Sequence, residues 1–142
     1  MKKIASYTIL DDINIVTEYY NGGITIEDII ELKKRLFSEK LYNPKIQIIM
    51  DFRTANLLIK EPELILYTEF AKNKLNAISE RKVAFLTNTP NEVVIGTLFE
   101  FVKKNLPMTT DVFSTLKAAA LWLNLSYEEM VKVENTFNEF LK

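Results

Sequence analysis

The segment 82–94, KVAFLTNTPNEVV, constrains the fold more than any other, because its apolar run passes directly into a helix start. Residues 82–88 have the length and the apolar content of a buried strand. Thr89 is a natural N-cap and Pro90 a natural first helical residue, so a helix is predicted to begin there. The segment therefore predicts a central strand and the following helix of an α/β sheet, with neutral polar side chains at their junction.

Two apolar runs near the amino terminus, Ile4–Leu10 and residues 13–20, predict a β-hairpin that turns at residues 11–12. In the second run, alternate residues fall on opposite faces of the predicted strand. The Asn-Gly-Gly sequence at residues 21–23 follows, and we expect it to end this strand because glycine permits a tight exit.

The rest of the chain alternates helices with strands. The predicted elements are a helix from Thr25 to about Lys40, a strand over 46–52, a linker over 54–61, a helix from Pro62 to about Ser79, the strand and helix that begin with the segment 82–94, a short strand over 111–113, a helix over 116–123 and a last helix over about 126–141. Alternation of this kind predicts a mostly parallel sheet in a single domain over 1–142, with a core over about 1–123. If the strands add in one direction, the helices gather mainly on one face. The other face then needs the C-terminal helix or a dimer partner as its cover.

Four short segments resemble a known group of α/β domains. They are EYYNGGIT at 18–25, DFR at 51–53, RKVAFLTNTP at 81–90 and FSTLKAA at 113–119. Together with the order of elements, they resemble the SpoIIAA-like fold shared by STAS domains, and more closely its uncharacterised bacterial branch described as STAS-like or CRAL-TRIO-like. The resemblance implies a five-stranded, mostly parallel sheet with an antiparallel N-terminal strand, four crossover or flanking helices and an additional C-terminal helix.

The resemblance also implies a regulatory or protein-interaction role. Anti-sigma-factor antagonists of this group carry a phosphorylated serine at the start of the helix after the third strand. Here that region, residues 57–62, reads LLIKEP and contains no hydroxyl side chain. Partner switching by phosphorylation is therefore not expected at that place.

The absence of cysteine and histidine excludes several chemistries. Disulfides, thiolate nucleophiles, imidazole bases and histidine-ligated metals all require these residues, so we expect no metal and no cofactor. The formal net charge of −1 and the lack of a long basic run argue against nucleic-acid binding. No glycine-rich phosphate loop is present, no segment has the length and apolarity of a membrane span, and no signal-peptide pattern follows the first residues. These features predict a cytoplasmic protein.

A polar rim at the carboxyl ends of the predicted strands is the strongest candidate site, because open α/β sheets bind ligands there. The candidate residues are Asp51, Arg53, Thr87, Asn88, Thr89, Asn91, Ser114 and Thr115. Two helix N-termini at this rim would offer backbone N–H groups to an anion. The alternative is structural, with the hydroxyl residues capping helices and Asp51 pairing with Arg53. No second carboxylate is placed to complete an acid–base dyad, so we expect no catalytic residues and no enzyme activity.

The predicted C-terminal helix carries an apolar stripe that must be buried. Its candidate interface residues are Tyr127, Met130, Val131, Phe137, Phe140 and Leu141. The stripe could cover the protein's own sheet or form a dimer interface. Two hypotheses about function follow: a non-enzymatic module that binds a protein partner or a second copy of itself, and a protein that binds a small anionic or lipid-like ligand.

Overall fold

The computed structural model describes residues 2–74, 81–88 and 108–140, together with positions 100 and 104. Its elements are β1 Ile4–Leu10, a 3₁₀ turn Asp11–Ile13, β2 Ile15–Ile24, α1 Ile26–Phe37, β3 Gln47–Leu57, α2 Glu61–Lys74, β4 Lys82–Leu86, β5 Thr109–Phe113, α3 Leu116–Trp122 and α4 Tyr127–Phe140. The predicted helix that starts at Thr89 and the predicted helix end near Ser79 lie outside the described residues.

The five strands of the described part form one sheet in the order β1-β2-β3-β4-β5. β1 runs antiparallel to β2, and each of the later strands runs parallel to its neighbour. The prediction of a mostly parallel five-stranded sheet with an antiparallel N-terminal strand is confirmed. This arrangement brings the carboxyl ends of β2 to β5 to a single edge of the sheet.

In the described part of the chain helices cover both faces of the sheet, two on each face, and the C-terminal helix rather than a dimer partner contributes to the second cover. Val16, Ile48 and Phe85 belong to the core cluster that includes residues of α1 and α2. Ile49 and Leu86 face the opposite way and join a second cluster with residues of α3 and α4. Because the inner strands carry apolar side chains on both faces, each face must be covered. The C-terminal helix α4 therefore covers its own sheet.

β3 does not end at Phe52, as the alternation predicted, but continues to Leu57. The register shows why: Tyr19 pairs with Asp51 and Asn21 pairs with Thr54, so the single residue between them on β2 faces two residues on β3. This is a β-bulge, and it shifts the phase of alternation by one residue. The residues of β3 in the first core cluster are accordingly Ile48, Met50 and Phe52 before the bulge, and Ala55 and Leu57 after it. The predicted linker over 54–61 is thus mostly strand.

The glycines of β2 extend this strand, contrary to the prediction that they end it. β2 passes through Gly22 and Gly23 and pairs with β3 as far as Ile24. Gly22 has φ +79°, and a Cβ there would lie 3.0 Å from the carbonyl oxygen of Lys2. Glycine is needed because the backbone bends and the N-terminal segment passes close by.

Helix α1 begins at a reciprocal cap, as predicted from Thr25. The Asp28 backbone N–H donates to Thr25 Oγ1 at 3.3 Å, and the Thr25 N–H donates to Asp28 Oδ2 at 2.8 Å. The helix ends at Phe37 rather than near Lys40. Its buried face includes Lys33, a position that the apolar periodicity did not indicate.

Lys33 forms an ion pair with Glu18 of β2 inside the core, and both side chains are almost fully buried. The Tyr20 hydroxyl donates to the other oxygen of Glu18 at 2.6 Å. Burial lowers the pKa of Lys33, and the Glu18 carboxylate opposes this shift. Buried charges need partners of this kind because water is absent. The network links α1 to β2, an inner strand of the sheet.

We predict that Lys33→Met lowers the free energy of unfolding by about 3–5 kcal/mol, because it leaves Glu18 buried without its cation. The Glu18→Gln/Lys33→Met variant should be less destabilised than Lys33→Met, by roughly 2 kcal/mol, since it removes both charges. Urea unfolding followed by circular dichroism measures both values. A double variant that is less stable than the single variant would contradict this account of the pair.

Candidate functional site

The bulge between β2 and β3 lies level with the carboxyl end of β4, because Asp51 pairs with Leu86, and the sequence predicted a site at this end of the sheet. It places Arg53 as an additional residue opposite Tyr20 and close to Asp51. Bulges commonly redirect side chains beside functional sites. The bulge therefore lies at the same place in the sheet as Asp51 and Arg53 of the predicted polar rim.

Asp51 and Arg53 form a bidentate ion pair. Arg53 Nε donates to Asp51 Oδ1 and Nη2 donates to Oδ2, each at 2.9 Å. The Arg53 backbone N–H also donates to Oδ1, at 3.0 Å. Asp51 is buried, whereas 31% of the Arg53 side chain is exposed. The hydrogen bonds from Arg53 to Asp51 raise the pKa of this guanidinium above its ordinary value. Much of its hydrogen-bonding capacity is thus used within the protein.

A cleft of about 540 Å³ opens beside this pair. Its lining residues are Tyr19, Asp51, Arg53, Thr54, Asn88, Leu116, Glu134, Phe137 and Asn138. β2, β3 and the end of β4 supply one side, and α4 supplies Glu134, Phe137 and Asn138. Pockets of several hundred Å³ with a few polar groups are typical of small-molecule sites.

Internal hydrogen bonds hold several polar groups of the cleft in place. The Tyr19 hydroxyl and Thr54 Oγ1 are 3.1 Å apart, and Asn88 Nδ2 donates to the Arg53 carbonyl at 2.6 Å. The Arg53 guanidinium lies 5.9 Å from the ring centre of Phe137. These contacts fix the walls of the cleft before any ligand arrives.

Of the predicted rim residues, the cleft gathers Asp51, Arg53 and Asn88. Thr87 is buried, and its backbone N–H donates to the Phe113 carbonyl at 3.0 Å, so it joins β4 to β5. Thr115 caps α3, its Oγ1 accepting from the Ala118 N–H at 3.2 Å. The remaining three are Ser114, which is exposed, and Thr89 and Asn91, which lie outside the described residues.

Sequence reasoning missed four polar residues of the cleft: Tyr19, Thr54, Glu134 and Asn138. Tyr19 could have been found from the sequence, because it lies on the predicted strand next to that of Asp51 and therefore at the same end of the sheet. No sequence pattern pointed to Glu134 and Asn138, since their position depends on how α4 packs against the sheet. The charged side chains of the described lining are Asp51, Glu134 and Arg53, so their formal sum is −1.

The predicted interface stripe of α4 divides into buried and exposed parts. Phe137 is 4% exposed within the second core cluster, and Phe140 stacks on Tyr19 with ring centres 5.4 Å apart. These two residues therefore pack against their own sheet, which is the first of the two alternatives for the stripe. Met130 and Val131 are half-buried, Tyr127 is 76% exposed, and Leu141 lies outside the described residues.

Comparison with solved structures identifies the fold. The chain is similar to the crystal structure of an uncharacterized protein from the DUF3478 family with a SpoIIAA-like fold, from Shewanella loihica PV-4. The match has a TM-score of 0.55 and 14% sequence identity, and covers 87% of this chain and 98% of the other. The protein therefore has a SpoIIAA-like fold, as the sequence resemblance implied. No protein-family model matches the sequence, and no curated protein matches it.

None of the helices described is both long enough and apolar enough to cross a membrane. Within the same residues, no cluster of three or more histidine, cysteine, aspartate or glutamate side chains could hold a metal ion.

We predict that Arg53→Met destabilises the protein more than Asp51→Asn does. Arg53→Met leaves a buried carboxylate without its cation and should cost roughly 2–3 kcal/mol. Asp51→Asn leaves a guanidinium that can still reach water and should cost about 1 kcal/mol. Urea unfolding measures both.

A surface ion pair provides the control for this comparison. Lys132 and Asp12 lie 2.7 Å apart and are both exposed, so Lys132→Met should leave the unfolding midpoint unchanged. Equal losses for Arg53→Met and Asp51→Asn would show that the buried carboxylate does not depend on Arg53.

Proposed function

We propose that this protein is a non-enzymatic, cytoplasmic protein-interaction module that associates with a second copy of itself. The observation that carries the proposal is an apolar groove between α3 and α4, with a volume of about 150 Å³. Ala120, Leu125 and Met130 are among its lining residues. Leu121 and Tyr127 also line the groove, although they are 68% and 76% exposed. Exposed apolar side chains around a groove are typical of interaction surfaces.

The state of the ionic groups in the cleft supports a non-enzymatic role. The Asp51 carboxylate accepts three hydrogen bonds from Arg53, so it is not available as a general base. The second carboxylate of the cleft, Glu134, is exposed on α4, and no second buried carboxylate lies beside Asp51 among the described lining residues.

The charges around the groove favour a second copy as the partner. Lys117 lies at the α3 edge of the groove, whereas the first turn of α4 carries Glu128 and Glu129. The Glu129 carboxylate accepts the Ser126 N–H at 2.8 Å as part of the cap, and Glu128 is exposed. A two-fold dimer repeats each contact twice, so Lys117 of one protomer can meet Glu128 of its partner on both sides of the axis. The surface is thus complementary to itself in charge as well as apolar.

We predict a dimer by size-exclusion chromatography with light scattering, and a monomer for Leu121→Asp and for Tyr127→Asp. Each change places a charge in the apolar contact. Leu66→Asp is the matched control, because Leu66 on α2 is also more than half exposed but lies away from the groove. It should remain dimeric.

Charge reversal tests the proposed contact between Lys117 of one protomer and Glu128 of its partner. Lys117→Glu should weaken the dimer, and the Lys117→Glu/Glu128→Lys variant should restore it. A monomeric wild-type protein at high concentration overturns the proposal of self-association. A dimer that survives both aspartate substitutions places the interface elsewhere.

A second candidate function is the binding of a small polar molecule in the cleft beside Asp51. The fixed polar walls and the volume of about 540 Å³ favour it. The sequence suggested an anionic or lipid-like ligand, but the formal charge of the described lining is −1, and Arg53 is paired with Asp51. This balance favours a cationic group, with Glu134 as the carboxylate left to receive it.

A matched pair of four-carbon probes, putrescine and succinate, tests this second candidate. We predict that putrescine raises Tm and that succinate at the same ionic strength does not. Glu134→Gln should remove the putrescine effect, whereas Glu27→Gln, an exposed residue in the first turn of α1, should retain it. A larger shift with succinate would contradict the sign of the proposed ligand.

A further inference from the structure

An open basin lies at the amino-terminal end of the parallel strands, at the end of the sheet opposite the cleft. Its volume is about 500 Å³. Seven of its eight described lining residues are polar, the exception being Leu123. None of these residues lines the groove or the cleft. A basin with so little apolar surface suits a hydrophilic ligand rather than a lipid, because polar groups lose free energy when an apolar molecule covers them.

The first residues of three neighbouring strands form one wall of the basin. Gln47, Lys82 and Thr109 begin β3, β4 and β5, and all three line it. Lys82 pairs in register with Thr109. Gln47 lies level with Lys82, because the next residues of the two strands are paired with each other. Level residues of parallel strands point to the same face of the sheet, so these three side chains stand side by side.

Two asparagines with left-handed backbone conformations also line the basin. Asn14, with φ 58°, follows the 3₁₀ turn, and Asn124, with φ 60°, follows α3. The Gln47 backbone N–H donates to the Asn14 carbonyl at 3.1 Å, which holds Asn14 beside the start of β3. Within the described residues, no hydrogen bond engages the amide side chains of these asparagines or of Gln47. Unlike the polar groups of the cleft, these amides remain able to donate to a ligand.

The described lining carries three cations, Lys45, Arg81 and Lys82, and no carboxylate, so its formal charge is +3. This concentration is unusual in a chain whose net charge is −1. Lys82 Nζ donates to the Trp122 carbonyl at 2.8 Å and lies 5.0 Å from the centre of the Trp122 ring. The described residues therefore hold this ammonium in place without giving it an anionic partner.

Arg81 contributes charge to the basin rather than a contact. It is 3% exposed, its Nη1 donates to the Ile46 carbonyl at 3.3 Å, its Nη2 donates to the Tyr42 hydroxyl, and its buried Nε–H has no partner. Both acceptors are neutral, and the nearby carboxylate of Glu18 is paired with Lys33. The described groups thus leave this guanidinium uncompensated. Because salt screens a buried charge less than an exposed one, Arg81 favours an anion in the basin.

The charge and the volume of the basin indicate the class of anion. A phosphate monoester carries about −1.5 to −2 at pH 7, so a single group leaves part of the three positive charges unmatched. Two linked phosphates match them more closely. A volume of about 500 Å³ is also large enough for a small molecule that extends beyond its phosphates. Lysine ammonium and amide N–H groups are donors that phosphate oxygens accept.

We propose that the basin binds a small molecule that carries a diphosphate group. Lys45 and Lys82 contact the phosphate oxygens, Gln47 and the two asparagines donate further hydrogen bonds, and Arg81 adds positive potential from within the protein. The sequence predicted an anion site at the carboxyl-end rim, whereas the positive charge of the described residues is concentrated at the other end of the strands. The site is independent of the proposed dimer and of a ligand in the cleft.

Thermal unfolding of the full chain in sodium pyrophosphate, without divalent cations and with sodium chloride keeping the ionic strength constant, tests the proposal. Tm should rise along a one-site saturation curve, by roughly 4 °C at about ten times the Kd. The Kd should increase with ionic strength, because salt screens the attraction between opposite charges. A Tm that is the same in pyrophosphate and in chloride alone overturns the proposal. An equal rise with inorganic phosphate contradicts the assignment to a diphosphate.

Lysine variants locate the site. Lys45 is exposed and forms no ion pair within the described residues, so Lys45→Gln should fold normally. It should weaken pyrophosphate binding about tenfold, because it removes a charged hydrogen bond. Lys60→Gln is the matched control, since Lys60 is also exposed but follows the carboxyl end of β3. It should retain the wild-type Kd. A wild-type Kd in Lys45→Gln contradicts the location.

Line broadening of the ³¹P NMR signal of pyrophosphate gives a readout that does not depend on Tm. The wild-type protein should broaden the signal, and Lys82→Gln should broaden it less, even if the lost contact with the Trp122 carbonyl lowers Tm. Absence of broadening with the wild-type protein, or equal broadening with Lys82→Gln, contradicts the assignment.

Discussion

The inner strands β2, β3 and β4 carry apolar side chains on both faces, and the rest of the structure depends on covering both. α1 and α2 cover one face, and α3 and α4 cover the other. This requirement fixes the position of α4, whose Val133 and Phe137 are buried against the sheet. Once α4 is fixed there, its polar residues Glu134 and Asn138 become a wall of the cleft. The need to cover the second face of the sheet thus accounts both for the packing of α4 in the core and for one wall of the candidate site.

The two faces satisfy buried polar groups in different ways. On the α1 face, Glu18, Lys33 and Tyr20 form a closed network within the core, next to the partly satisfied Arg81. On the α4 face, Asp51 is paired with an arginine that still reaches solvent. A closed network mainly restricts how α1 sits on the sheet, whereas a pair at the edge of a cleft can also present a polar surface to a ligand.

The sequence predicted those parts of the fold that depend on local patterns. Apolar runs located the five strands of the described residues, and Thr25 marked the start of α1, because alternation and capping are properties of neighbouring residues. The pairing of Asp51 with Arg53, given as the structural alternative for the rim, is present in the structure. The ends of β2 and β3 were predicted too early, and two features lie in the stretch where the strands continue: the bulge between them and the positive φ of Gly22. The buried Lys33 and the wall from α4 could not be predicted, since both depend on contacts between residues distant in the chain.

The bulge in β3 affects how the sequence of this protein can evolve. Residues on either side of it reach the same core cluster in opposite phases, Ile48, Met50 and Phe52 before it and Ala55 and Leu57 after it. If one residue were deleted at this point, the strand would alternate without interruption, and the same apolar side chains would still face the first core cluster. The additional residue of the bulge lies in the stretch that contains Arg53, the cation of the cleft. Deletion of this one residue would preserve the apolar pattern of the strand but leave the buried Asp51 carboxylate without its cation, so the core pattern and the charge of the candidate site can change together only if position 51 changes as well.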